Sequence, residues 1–348
     1  MKFKKKLCKL ALATTLASIS TTIIPTEILG EEINQNNQNH SRQKRWSAEN
    51  PFDVNQNTHL WIARHAIDMI ARDSEHEPSQ LHARTFFSFH NLKNAFEQGL
   101  YDADHLDQFN NGGTGYIGID GLISGGWKSH FYDPDTGKNY KGESSPTART
   151  EGAKYFHLAG NYLYNQDPEK AMYYLGVATH YFTDVTQPMH AANFTNVELS
   201  PRHSSLFHSA FENYVTEIQH TFNDLQNTMA GEYNLLVDPY STIFSYDPGK
   251  WIHYAAANAK VHAKNIIRPE IFNEQYGYII ELPNFRLLAI DIWKNDPRIQ
   301  TAIQRSLNDA PALTAGFLNM WFKKNIPNNW SQDAVKGLAR GESAYQVP

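Results

Sequence analysis

An all-α fold, built as a single helical domain, is what this sequence predicts, and three observations predict it. Apolar residues recur at a period near 3.6 in segment after segment, alternating strand patterns are scarce, and no repeat at a fixed interval signals a solenoid. In chain order, residues 55–72 place Leu60, Ile62, Ala63, Ala66, Ile67 and Ile70 on one helical stripe, and residues 84–98 do likewise. Residues 147–165 fit a further helix. "DPEKAMYYLGVATHYFTDV" opens with Asp167 as N-cap and Pro168 at the first helical position. Its apolar positions are 171, 174, 175, 178, 181, 182 and 185, and Pro188 ends it. Residues 205–222 repeat the pattern with Leu206, Ala210, Phe211, Tyr214 and Ile218. Helices over 249–266 and 308–324 complete the set, followed by a short tail from about Ile326.

The N-terminal region is of a different kind. "MKFKKKLCK" is basic, and a short run rich in apolar and small residues follows from Leu10 to Ile24, so residues 1–30 read as a secretory signal peptide. That run is too short and too rich in Thr and Ser to span a bilayer, which takes about 20 apolar residues. Residues 31–45, "EEINQNNQNHSRQKR", are polar and aperiodic and read as a pro-segment, leaving 46–348 as the mature domain. The basic "RQKR" implies a processing protease that cuts after Arg45. The part removed holds 8 of the 31 basic and 3 of the 36 acidic residues, leaving 23 basic against 33 acidic. That balance argues against nucleic acid as a partner and gives no attraction to an anionic membrane. Cys8, the only cysteine, lies in the signal, so the exported chain has no disulfide and depends on its core, on metal, or on both. A monomer is expected.

Two helical pairs carry the candidate chemistry. His180 and Asp184 are four residues apart, and so are His208 and Glu212, so each pair projects from one helix face. Imidazole with carboxylate on one face is a zinc-type ligand set, and two such pairs in apolar helices are harder to dismiss than one. His190 follows Pro188, where the chain must turn, and offers a ligand from another direction. The glycine-rich stretch "NNGGTGYIGIDGLISGG", 110–126, lacks the Gly-Lys-Ser/Thr ending of a phosphate loop and reads as a surface loop, with a lid as the secondary reading. "DPDTG" at 133–137 reads as a turn, because the spacing and closing glutamate of a calcium loop are missing.

"HYFTDVTQPMHAANFTN", "FHSAFENYV", "SHFYDPD" and "WSAEN" resemble the bacterial zinc-dependent phospholipases C, over essentially the whole stretch from Trp46 to about residue 322. The resemblance implies a helical fold with a trinuclear zinc site, three Zn2+ at the base of a cleft, and cleavage of the glycerol–phosphate bond of phospholipids. Carried over position by position, it implies Trp46, His59 and Asp184 on one zinc. It implies Asp104, His130, His180 and the bridging Asp184 on a second, and His190, His208 and Glu212 on a third. The remaining histidines of the mature chain match no ligand position. Asp104 is the implied catalytic base or water-orienting group. Glu49, His105 and Trp127 stand at headgroup positions, with His105 replacing a family tyrosine and Trp127 a phenylalanine, which predicts a broader headgroup range. In the family the first residue ligates zinc through its free amine and carbonyl. A deprotonated α-amine keeps a lone pair for metal, whereas an amide nitrogen does not, so cutting before Trp46 is expected to activate. The expected setting is secreted and extracellular, acting on a phospholipid membrane or micelle surface. Two other readings are a P1-type zinc-dependent nuclease and a non-catalytic secreted zinc-binding protein. Glu212 and the acidic balance favour the lipase over the first, and the headgroup-like Glu49 and processed terminus favour it over the second.

Overall fold

In the computed structural model, the residues described are 50–72, 77–110, 126–195, 207–222, 246–267 and 293–342. Trp46, Glu49, the signal and pro-segments and most of the glycine-rich stretch lie outside them. The described residues form helices joined by turns, with an isolated bridge between Asp133 and Lys138 and no strand among them. The helices are α1 (Thr58–Arg72), α2 (Pro78–Ser88), α3 (His90–His105), α4 (Asp107–Asn110), α5 (Ala148–Tyr164) and α6 (Pro168–Thr186). They continue with α7 (Pro188–Ala191), α8 (Phe207–Ile218), α9 (Pro248–Ile266), α10 (Pro297–Asn325) and α11 (Gln332–Ala339). Short 3-10 turns cover Val54–Gln56, Lys128–His130 and Gln219–Phe222.

Local chemistry sets these boundaries. An Asp-Pro pair opens three helices: Asp167 accepts from the Lys170 N–H at 3.1 Å, Asp247 from Gly249 at 2.9 Å and Asp296 from Arg298 at 2.9 Å. Each time the carboxylate satisfies a free first-turn donor and proline supplies a helical φ at no hydrogen-bond cost. The same dipeptide at Asp133-Pro134 makes a turn, as the sequence reading expects. There the Asp133 carboxylate accepts from the Asp135 N–H at 2.9 Å, Gly137 takes φ 72°, and Lys260 of α9 pairs with both Asp133 and Asp135. The ammonium already neutralises those carboxylates.

Three boundaries differ from the sequence reading. The helix expected over 84–98 is two helices, broken at Phe89, whose extended backbone (φ −82°, ψ 118°) ends α2 and caps α3. No proline or glycine stands at the break, so the sequence carries no breaker to mark it. The helix expected over 308–324 begins eleven residues earlier and carries Pro311 within its length. The tail expected from Ile326 folds into α11, capped by Ser331, whose hydroxyl accepts from Ala334 at 3.2 Å.

Two apolar clusters organise the interior. The larger includes Leu60, Phe86, Phe96, Phe156, Phe182, Phe317 and Trp321. The smaller gathers Trp61, Ile62, Met189, Phe211, Trp293 and Leu307. α1 feeds both, with adjacent residues Leu60 and Trp61 pointing to different clusters. α3 and α6 meet backbone to backbone. A Cβ on Gly99 would collide with the Tyr173 carbonyl, and one on Gly176 with the carbonyl of Phe96 and the N–H of Leu100. That close approach brings the end of α3 beside the middle of α6, where the functional residues lie.

Candidate metal centre

α6 is the spine of the site. Its last three turns, from Gly176 to Thr186, are buried throughout, and His180 and Asp184 lie one turn apart at its interior face. α3 delivers Asp104 one residue before its end, α1 delivers His59 in its first turn, and the Lys128–His130 turn delivers His130. Trp127 starts that turn in the left-handed region, φ 58° and ψ 13°. For so large a side chain this conformation is strained and persists only where the surroundings fix it. They do: the Trp127 N–H donates to the Asn110 carbonyl at 2.9 Å, and the Phe109 carbonyl accepts from Ser129 at 3.1 Å and from the Tyr181 hydroxyl at 2.5 Å. Both ends of the glycine-rich stretch are thus clamped together. α7 and α8 supply His190, His208 and Glu212.

Eight of the nine sequence-predicted ligands fall among the described residues and gather in three groups. His59, His180 and Asp184 form one, Asp104, His130 and His180 a second, and His190, His208 and Glu212 a third, with donor atoms in each within 4.8 Å of one another. The two oxygens of Asp184 face different neighbours. Oδ1 looks toward His59 Nε2 at 3.7 Å, and Oδ2 toward His130 Nδ1 at 2.8 Å and His180 Nε2 at 3.4 Å. Asp104 Oδ1 stands 3.3 Å from His180 Nε2. In the third group, Glu212 Oε1 is 3.2 Å from His190 Nε2 and 2.9 Å from His208 Nε2.

Hydrogen bonds behind these side chains fix their tautomers. His180 Nδ1 meets the Leu100 carbonyl at 2.8 Å, His190 Nδ1 the His130 carbonyl at 2.8 Å, and His208 Nδ1 the Phe194 carbonyl at 2.6 Å. A carbonyl only accepts, so each Nδ1 carries a proton, and in the neutral ring each Nε2 keeps its lone pair. His59 Nδ1 lies 2.6 Å from Thr183 Oγ1, whose own proton goes to the carbonyls of Thr179 or His180. Its Nε2 is also left as an acceptor. With the rings neutral, four lone pairs point toward carboxylates, a repulsive arrangement that a cation between them, a metal ion or a proton on Nε2, resolves. Buried atoms without a hydrogen-bond partner tell the same story: His59 Nε2, His130 Nε2 and Glu212 Oε2 are all of this kind. Nitrogen and carboxylate donors in small groups suit zinc. The residues present fit the metal.

The cluster's charges bias one another. Burial opposes the charged form of His180 most strongly, but Asp104 and Asp184 outweigh it and lift the imidazole to about 9. Burial likewise opposes ionisation of Glu212, yet His208 and His190 hold its carboxyl at about 2. Asp184 is held below the usual carboxylate range by His180, His130 and His190, again against burial. At His59 burial dominates, His180 adds to it, and the ring is pushed down to about 3. The carboxylates therefore stay ionised at neutral pH, as ligands must.

Of the headgroup candidates, His105 is half-buried, stacked on Tyr101 at 3.7 Å between ring centroids, with Nδ1 on the Tyr101 carbonyl at 2.8 Å. Trp127 is 2 % exposed. Two supporting residues escaped the sequence reading. Thr183 lies beside Asp184 in the apolar helix and looks like an ordinary helical residue. Gln187, the last polar residue before Pro188, is fully buried and touches both His208 and Glu212 at 3.2 Å. Its place before a helix-opening proline was the available signal.

A helical protein with a buried imidazole–carboxylate cluster at the end of its central helix is, by class, a metallohydrolase scaffold. The chain belongs to the zinc-dependent phospholipase C family, whose sequence model matches residues 58–266. It is 32% identical over 320 residues to a phospholipase C of Bacillus cereus, covering 92% of this chain and 98% of that one. A second phospholipase C of Bacillus cereus is 32% identical over 278 residues, covering 80% and 85%. Among solved structures, the alpha toxin from Clostridium absonum shares the fold, with a TM-score of 0.52 at 22% identity over 80% of this chain and 67% of that one.

Proposed function

We propose that the three ligand groups hold three zinc ions and that Asp104 serves the reaction as base or water-orienting group. The chain is a zinc-dependent phospholipase C that hydrolyses the glycerol–phosphate bond of phospholipids, releasing diacylglycerol and a phosphorylated headgroup. Three Zn2+ would bring six positive charges against the three negatives of Asp104, Asp184 and Glu212, so a phosphodiester anion is attracted. When bound, zinc supplies Lewis acidity for phosphoryl oxygens and lowers the pKa of water toward neutrality.

The observation that carries the Asp104 role is its exposure. Its side chain is 9 % exposed, against 5 % or less for the other described ligands. It is the carboxylate of the cluster that faces outward, within reach of water and substrate. The deeper Asp184 and Glu212 are committed to holding the histidines. Asp104→Asn is expected to lower kcat about 10²–10⁴-fold, the range for loss of a positioned acid–base group. Diglyceride release and zinc content, measured on the same sample, check it. A variant that keeps its zinc and nearly full kcat removes Asp104 from the chemistry.

His105 supports a broad headgroup range. With its Nδ1 proton on the Tyr101 carbonyl, Nε2 is an acceptor. An ethanolamine or serine ammonium can donate to it, and a quaternary choline cannot. Glu49 supplies a counter-charge in this reading. Trp127, with 2 % exposure, offers little ring face, so it contributes less. Strong preference for choline over ethanolamine and serine lipids in mixed micelles overturns this. Residues 1–30 as a secretion signal and a cut after Arg45 that frees Trp46 as a zinc ligand belong to the same reading. No helix among the described residues is long and apolar enough to cross a membrane. Blocking the cut by replacing Arg45 is expected to leave a zinc-poor, inactive secreted form.

A further inference from the structure

We propose that Gln187 is the positioning residue of the His190–His208–Glu212 group, a clip that ties the Glu212 carboxylate to the turn carrying His190. The inference rests on the reading that this group holds a zinc ion. Gln187 stands where α6 ends and α7 begins, and it works with both ends of its amide. Its oxygen accepts from the main-chain N–H of Met189 and, at 3.2 Å, from that of His190. Those two donors fix which way the amide faces, because an NH2 cannot accept from them. The NH2 is therefore turned inward, 3.2 Å from Glu212 Oε1 and 3.2 Å from His208 Nε2.

Each contact answers a specific need. α7 is four residues long and cannot hold His190 by helical hydrogen bonds, so its first free N–H groups depend on the cap. Glu212 is fully buried, and its Oε2 has no hydrogen-bond partner. A buried carboxylate with one oxygen unclaimed can rotate about its terminal torsion, which is broad. The Gln187 NH2 on Oε1 removes that freedom and leaves Oε2 aimed where nothing in the protein competes for it. The Gln187 main-chain N–H donates to the Asp184 carbonyl at 2.9 Å, so the clip is anchored to the residue whose side chain lies between the other two groups. The third group is thus tied to the end of α6 by this side chain.

Two variants of the mature protein separate clip from cap. Gln187→Glu keeps the acceptor for Met189 and His190 but sets a second oxygen against Glu212. Gln187→Met keeps length and buries no polar group. Zinc affinity is read by competition with a chromophoric chelator, and cobalt(II) absorption reports the ligand geometry. Both variants are expected to weaken one class of bound zinc about 10–100-fold, as supporting-residue changes do, and to alter the cobalt spectrum, while the other zinc stays as in the parent. Gln187→Asn, with the amide one methylene short, is expected to fall between and takes the place of a variant that does not fold. His208→Ala is the reference and should abolish that same zinc class. If His208→Ala leaves zinc content unchanged, the zinc reading of the third group fails. If His208→Ala loses zinc but either Gln187→Glu or Gln187→Met binds as the parent does, the clip is overturned.

Discussion

The two halves of the metal centre are held in place by different physics. The half around His59, Asp104, His180 and Asp184 sits where α3 and α6 touch through Gly99 and Gly176, with no room for a methyl group. Its ligands on α1, α3 and α6 ride on long helices whose spacing follows from close packing, while His130 joins them from the Lys128–His130 turn. The half around His190, His208 and Glu212 sits on a four-residue helix and the start of α8, and it is positioned by hydrogen bonds from Gln187, the Phe194 carbonyl and the His130 carbonyl. Packing gives stiffness that is hard to tune. Hydrogen bonds give directionality that one substitution can remove. A binding site can draw on both at once, with one side acting as anvil and the other as adjustable jaw.

The largest expected effect tests the steric half. Gly176→Ala forces α3 and α6 apart and should cost about 3 kcal/mol or more by overpacking, with the protein losing stability and zinc together. Denaturant unfolding of a tolerated Gly176→Ala variant, with the parent midpoint retained, would break the contrast. Next comes a polar exception within that half. Arg64 holds the buried Glu97 through two contacts, Nε–Oε1 at 2.8 Å and Nη2–Oε2 at 3.0 Å, and also reaches the Phe52 carbonyl at 3.3 Å. Arg64→Ala should cost about 1–3 kcal/mol for stranding that carboxylate, and urea titration measures it.

A pH effect sharpens the same contrast. His82 on α2 is fully buried with neither ring nitrogen hydrogen-bonded, and burial lowers its pKa below the ordinary 6.5. The unfolded chain therefore binds its proton more readily, so the stability it permits is complete above about pH 6.5 and declines as pH falls below that value. His82→Leu should flatten part of the decline in melting temperature between pH 7 and 5, with zinc saturating in both proteins. A variant with the parent's slope would remove His82 as a source of it. The smallest effect belongs to the surface: Lys170 pairs with Asp167 at 3.2 Å and is well exposed, so Lys170→Ala should change stability by about 0.5 kcal/mol or less. A larger loss by thermal melting would mean the α6 cap depends on it.

How much of this was legible in the sequence varied with the kind of interaction. The helices α1, α5, α6 and α9 were readable because each buries one face, and Asp-Pro or Thr caps mark three of their starts. The ligand pairs His180/Asp184 and His208/Glu212 were readable because they repeat within one helix. Asp104, His59 and His130 came only from the resemblance, since their neighbours in space lie on other elements. Gln187 and Thr183 stayed invisible because their partners are set by tertiary contact. The break at Phe89 was hidden because no proline or glycine marks it, and α11 because the segment is too short to show a period.

The clamp between Asn110 and Trp127 has a consequence for how this chain can change. Trp127, Ser129 and Tyr181 already hold Asn110 and Trp127 side by side, so closing the chain between them costs the entropy of a loop whose ends are fixed by other contacts. That entropy grows only logarithmically, by about 0.6 kcal/mol for each doubling of length. Closure entropy therefore sets only a weak limit on its length: adding or removing a few residues should change that entropy by about 0.6 kcal/mol or less, so long as both clamped ends are kept.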